Sequence, residues 1–272
     1  VTHSGVAKFR FSEMVRDHGV NVVLTGEGND GIFAGSSAFL VDNSRRTQIR
    51  REPGMAYMQE VLGTSPMWIQ RDQKTKMLAP EFAAELGSFQ PVHRFLEDLD
   101  TTDRLQGRHP LNVSLYLYCR ITLVHVLPQV GDCAEMAHSV QGRVPLLDHR
   151  LMDYACSLPT TLKIRNGQGK FVFREAVRPF VDHSTSQRQK GSFLNPLMSL
   201  SEGGSLRRLY QDTLNSSAAE DLPFFERSKM CSFLDKAVSG SLRSNDAFAR
   251  HADLMLQSFV GLCLVQELFR PS

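Results

Sequence analysis

Two carboxylates inside a glycine turn are the residues of this sequence best placed to do chemistry. Residues 21–35 read NVVLTGEGNDGIFAG, in which Gly26, Gly28 and Gly31 form G-x-G-x-x-G after a β-branched run, the spacing of a dinucleotide-binding turn. Glu27 and Asp30 argue against that assignment. A bare pyrophosphate would meet their negative charge, and at about 4 Å and an effective dielectric near 20 each contact costs roughly 4 kcal/mol. A bridging cation reverses the sign. Mg²⁺ takes one or two carboxylate oxygens and lets substrate phosphates complete its shell, so the loop predicts a metal–nucleotide site with Asp30 as metal ligand. Thr25, Gly26 and Gly28 then offer a hydroxyl and backbone groups to the nucleotide. The plainer alternative is that Glu27 and Asp30 cap the following helix, since acids are favoured at helix N-termini.

Other charged residues cluster further along. Lys170 and Arg174 share a face at i, i+4 of a predicted helix over 170–180, where two cations could grip phosphate or form an ordinary solvated face. Lys190 stands in the polar stretch SQRQKGSF, and loop lysines are usually solvated. Asp148 precedes a predicted helix over 148–158 and reads as an N-cap or ion-pair partner, three residues after VP and five after Arg143. Met136 reads as core filling and His138 as a satisfied polar residue.

Elements must hold these residues in place. GVAKFRFSEMVRDHG predicts a helix stopping at Gly19, feeding VNVVLT, a buried parallel strand over 20–25 whose carboxyl end opens onto the site. Residues 42–53 read as an exposed connection and 54–88 as helical. Residues 111–130 are apolar nearly all round and are predicted to lie in the core. Further helices are expected at 205–217 and 247–268, with SGSLRSN near 239 as a flexible loop.

Bulk properties narrow the class. The chain has 272 residues, 42% of them hydrophobic, and a net charge of +2, which favours neither a nucleic acid nor a membrane surface as partner. No apolar run approaches the roughly 20 residues of a membrane span. Cysteines at 119, 133, 156, 231 and 263 give neither a disulfide framework nor zinc spacing, which predicts a reducing, cytoplasmic setting. The sequence begins with Val1, so a piece of something longer is expected.

Four stretches in order resemble the glutamine-hydrolysing asparagine synthetase family, in its C-terminal synthetase domain. VVLTGEGND, GDCAEMAHSVQGRVPLLD (131–148), GKFVFRE (169–175) and RQKGSF (188–193) follow strand, S/T-G-E-G-x-D-E, D-x-x-S-M-A-x-x-x-E-x-R-x-P-F-L-D, G-K-x-x-L-R-E and R-x-K over about 170 residues. The resemblance implies the C-terminal part of an α/β, PP-loop ATPase domain, mostly helical with few parallel strands. Within one domain over 1–272, residues 1–36 would supply the strand and acidic loop, and 111–200 a helical core with the remaining motifs. It further implies a two-step ligase: a carboxylate, of aspartate or a related acid, attacks the α-phosphate of Mg-ATP, and ammonia then displaces AMP to leave an amide. Lys190 would stabilise charge on the α-phosphate and Glu27 would act at the reacting centre, both catalytic. Lys170 would lie near the phosphates, with Arg143, Asp148 and Arg174 in support. Ammonia would come from a glutaminase domain that is not in this sequence, nor is the S-G-G-x-D-S-S pyrophosphate loop. A homodimer is an open option for assembly.

The sequence also departs from the pattern. Asp30-Gly31 replaces D-E, Gln141 replaces the glutamate of E-x-R, Ser36 stands at a frequent tyrosine position, and the stretch from Asp30 to Asp132 is long. In the β-lactam synthetase branch a tyrosine replaces Glu27, so Glu27 leans towards the asparagine side while Gln141 leaves aspartate itself open. A non-catalytic remnant is the second reading. The third, a nicotinamide-binding domain, needs a strand ending in an acid about 20 residues on, and 45–51 offers none.

Overall fold

The computed structural model describes residues 3–36, 39–40, 78–85, 105, 107–188, 205–239 and 246–269. They fall into two compact units. In chain order the elements are α1 (His3–Asp17), β1 (Val22–Leu24), α2 (Asn29–Phe33), α3 (Pro80–Glu85), α4 (Pro110–Met136) and β2 (Gln141–Arg143). Then come α5 (His149–Ser157), α6 (Thr160–Lys163), α7 (Phe171–Val177), α8 (His183–Gln187), α9 (Ser205–Leu214), α10 (Ser217–Glu220), α11 (Arg227–Val238) and α12 (Asp246–Phe269).

The unit containing the glycine loop is built around two short strands. α1 stops where expected: Gly19 takes a left-handed φ of 75°, its N–H reaches Arg16 O at 2.8 Å, and Val20 N–H reaches Val15 O at 3.2 Å, closing the last turn. β1 pairs in parallel with β2, Val22 opposite Gln141 and Leu24 opposite Arg143. The parallel expectation holds, but the strand is not buried. Val22 is 52% and Leu24 78% exposed, because among the described residues β1 has one neighbouring strand and the sheet has two.

α2 is held from below by a small core of Ile32, Phe33, Ala155 and Leu158, with Phe173 of α7 5.4 Å from Phe33 ring to ring. α4 starts on a Pro110 at its first position, with the His109 ring accepting from Leu111 N. Its first half is buried at Leu111, Leu115 and Leu117, but Val124 is 57% exposed, so the helix leaves the core that the sequence assigned to all of 111–130. By length and composition alone this 27-residue helix could cross a bilayer, a run the residue count had not singled out. Its buried first half packs on the glycine loop, as a core helix does.

In the other unit α9, α11 and α12 close on Tyr210, Leu214, Met230, Phe233, Leu256 and Phe259. α3 enters it through a bridge between Leu78 and Phe225. α3 is the described part of the helix predicted over 54–88, and the connection at 42–53 and most of SGSLRSN lie outside the described residues.

Candidate active site

The site forms where β1 ends. Thr25 N–H continues the ladder to Arg143 O at 2.8 Å, and the chain then turns at Gly28, whose φ of 83° and close packing against Leu147 suit only glycine. α2 starts at once and ends after five residues in Ala34, a non-glycine residue at φ 58°. Gly28 is the N-cap residue and has no side chain to cap with, while Asp30 lies in the first turn of α2, where an acid also suits the helix N-terminus.

A second segment crosses the end of α2 and delivers a cation. Lys170 N–H donates to Phe33 O at 2.8 Å, and Gly169 lies so close that a Cβ there would come within 2.1 Å of Ala34 O. Lys170 is also left-handed, at φ 58°. Two such residues on touching segments store backbone strain of the kind that collects at functional sites. The result is an ion pair between Lys170 Nζ and Asp30 Oδ1 at 2.6 Å, for which Gly35 leaves the space. Lys170 therefore precedes α7 instead of sharing a helical face with Arg174. Arg174 faces elsewhere: its Nη1 donates to Ser186 O and Arg188 O, both at 3.0 Å, and so fixes the backbone entering R-x-K.

Glu27 belongs to another cluster. Lys8 of α1 places Nζ 3.3 Å from Glu27 Oε1 and 2.6 Å from Oε1 of the buried Glu135 of α4. Burial would lower the Lys8 pKa, but the hydrogen bond to Glu135 and the charges of Glu27 and Glu135 outweigh it and hold the ammonium above its ordinary value. Tyr118 feels both acids: burial first, then Asp30, Cys119 and Glu27, push its phenol up to about 12. Its ring fills the space beside Gly31, where a Cβ would come within 2.4 Å of Cδ1.

Two buried oxygens, Thr25 Oγ1 and Asn29 Oδ1, have no hydrogen-bond partner among the described residues. No described residue comes within 4 Å of where a Cβ on Gly26 would lie. A group with donors and acceptors at the end of β1 would satisfy both oxygens, which fits a nucleotide. For Mg²⁺ the described residues gather no three acidic, histidine or cysteine ligands, so Asp30 would serve as a single carboxylate with phosphates and water completing the shell.

The remaining predicted residues separate. Arg143 Nη2 donates to Gln141 Oε1 at 3.0 Å, and Asp148 caps α5 by accepting from Arg150 N at 3.0 Å, its carboxyl held low by the Arg150 hydrogen bonds. Neither joins the loop acids. Met136 is 63% exposed, which overturns core filling. The His138 ring rests edge-on against Phe9, 4.2 Å between centroids, but its Nε2 has no hydrogen-bond partner among the described residues. Lys190 lies outside them. Sequence reasoning missed Lys8, Glu135, Tyr118, Gly35 and Gly169. One signal was legible: Glu135 stands at the serine of D-x-x-S-M-A.

A family model described as asparagine synthase matches residues 1–260. The amidase chyE of Penicillium rubens is 25% identical over 276 residues, covering 87% of this chain and 41% of that protein. The amidase chry2 of Gibberella zeae is 24% identical, covering 95% and 44%. Asparagine synthetase (glutamine-hydrolysing) 1 of Bacillus subtilis is 36% identical over 67 residues, 25% of this chain and 11% of that protein. The chain spans less than half the length of these relatives.

Proposed function

The chain belongs to the asparagine synthase family, and from that premise we propose that it is part of an ATP-dependent amide-forming ligase that adenylates a carboxylate and passes it to ammonia derived from glutamine. The observation that carries this reading is the site at the end of β1: two buried oxygens, Thr25 Oγ1 and Asn29 Oδ1, without a hydrogen-bond partner among the described residues, beside the Lys170–Asp30 pair. Ligands bind at the carboxyl ends of parallel strands, where backbone and side-chain groups converge without a covering helix. Two relatives named amidases favour amide chemistry without favouring aspartate, and Gln141 keeps a related acid equally in view.

Each residue has a task in that reaction. Thr25 and Asn29 hydrogen-bond the nucleotide. Lys170, already directed into the site by its left-handed backbone, meets phosphate oxygens. Mg²⁺, held through Asp30, would neutralise phosphate charge. A carboxylate oxygen of the substrate attacks the α-phosphorus and the bond to pyrophosphate breaks; Lys190 is assigned the charge that grows on the non-bridging oxygens. Ammonia then attacks the acyl carbon, AMP leaves, and Glu27 is the acid near enough to the loop to take a proton.

The non-catalytic reading has one observation in its favour. Tyr118 occupies the space in which the second acid of D-E would start, so one acid of the pattern is absent and its place is filled. Exchange of labelled pyrophosphate into ATP by the complete gene product, across a panel of amino-acid carboxylates beginning with aspartate, separates the two. Carboxylate-dependent exchange supports the ligase. ATP binding without exchange for every acid supports the remnant.

A further inference from the structure

We propose that Lys8 is a positioning residue for this site: its ammonium, anchored on the buried Glu135, holds the Glu27 carboxylate at the end of β1. The inference rests on the ligase reading for the role of Glu27, but its geometry stands alone.

α1 is packed with a polar side inwards. Lys8 and Ser12 lie on its inner stripe, with Ser12 Oγ bonded to Lys8 O at 2.9 Å, while Val6, Phe9, Phe11 and Met14 stand between 42% and 52% exposed. Three residues on two elements, α4 and β2, are adapted to Lys8. Glu135, 3% exposed on α4, would be an uncompensated buried charge without Lys8. Gly142 of β2 leaves room for that carboxylate, since a Cβ there would come within 2.0 Å of Glu135 Oε2. Gly131 backs Glu27, a Cβ there lying 3.3 Å from Glu27 Oε2.

The two contacts are unequal, and the inequality gives the device its function. The 2.6 Å ion pair with Glu135 is the anchor and the 3.3 Å hydrogen bond to Glu27 the arm. One ammonium between two carboxylates leaves the group with one net negative charge. Glu27 can accept a proton or turn towards a reacting amine while Lys8 remains neutralised by Glu135, so the working acid is released without stranding a buried cation. A direct Lys8–Glu27 pair would lose its only partner at that moment.

The test uses the complete gene product with Lys8→Met, and with the double change Lys8→Met/Glu135→Gln, which removes both buried charges and so guards against a folding failure. Two readouts are taken: labelling of Glu27 by a water-soluble carbodiimide and an amine, followed by peptide mass spectrometry, and kcat and KM for ATP with ammonium chloride and the best exchange substrate. The double variant is expected to melt within a few degrees of wild type, to label Glu27 severalfold faster, and to lose on the order of 10- to 100-fold in kcat with KM for ATP unchanged. Equal labelling of Glu27, or faster labelling with wild-type kcat, overturns the inference. A wild type that turns over no carboxylate sinks the ligase reading instead, and the labelling still decides whether Lys8 holds Glu27.

Discussion

Adding one methyl group at Gly169 should disable the site without touching a charged residue. The Cβ of Gly169→Ala would sit 2.1 Å from Ala34 O, whereas ordinary contact begins near 3.4 Å, so the two segments must part by about 1 Å. That opposing atom is backbone, and the adjacent Lys170 N–H to Phe33 O bond at 2.8 Å cannot survive such a shift. Overpacking costs about 1–3 kcal/mol and the lost hydrogen bond about 1 kcal/mol, together about 2–4 kcal/mol. For a domain of 150–250 residues that lowers Tm by on the order of 10 °C. Lys170 moves off Asp30, and a misplacement of about 1 Å is expected to cost on the order of 100-fold in pyrophosphate exchange. Gly167→Ala is the control: its φ is 71° but none of the described residues lies within 4 Å of the added atom, so it should cost about 1 kcal/mol of stability and no exchange. Thermal unfolding by circular dichroism and the exchange assay are run on both. Wild-type melting and exchange in Gly169→Ala would refute the close approach as the device that aims Lys170.

Asp30→Asn should abolish exchange at ordinary Mg²⁺ while costing only about 1 kcal/mol in urea unfolding, because both partners of the Asp30–Lys170 pair are partly exposed; loss of folding would instead make the pair structural. Lys190→Ala and Lys190→Arg should each lose on the order of 100- to 1,000-fold in exchange while still binding ATP, and near-wild-type exchange in Lys190→Ala would remove Lys190 from the centre. Lys163, 3% exposed with burial lowering its pKa, pairs with no acid among the described residues, so Lys163→Met should raise Tm by a few degrees. That gain is full below the depressed folded pKa and shrinks as pH rises from there towards the unfolded value, which melting across alkaline pH measures. Lys8 has the opposite sign: its contribution is full below the unfolded value and is lost as pH rises through the raised folded one.

What the sequence disclosed follows the range of the forces involved. α1, its Gly19 stop, the cap at Asp148 and the turn at Gly28 depend on residues within one or two turns of each other, and all were legible. β2 was not, because Gln-Gly-Arg has no apolar alternation and becomes a strand only by pairing with a segment more than 100 residues away. α11 was missed although Met230, Phe233, Leu234 and Val238 stand at i, i+3, i+4 and i+8, a helical period. Lys170 and Arg174 misled because i, i+4 spacing places residues on one face only if both are in the helix, and the close approach at Gly169 holds Lys170 outside it. Lys8 and Glu135 received no assignment from the sequence, where the ordinary presumption for a lysine on an amphipathic helix is solvation. Only the contact between α1 and α4 reverses that presumption.

The ring of Tyr118 against Gly31 also bears on history. Returning Gly31 to glutamate with the ring in place drives a side chain into Tyr118, and shrinking Tyr118 first empties a space beside the glycine loop; each single step passes through a destabilised protein. The two positions are therefore epistatic, with a fitness valley on either mutational path between Gly31 paired with Tyr118 and an acid paired with a smaller residue. Gly31 with a large aromatic at 118 should accordingly behave as a linked character, inherited together, and mark out a branch of the family by descent.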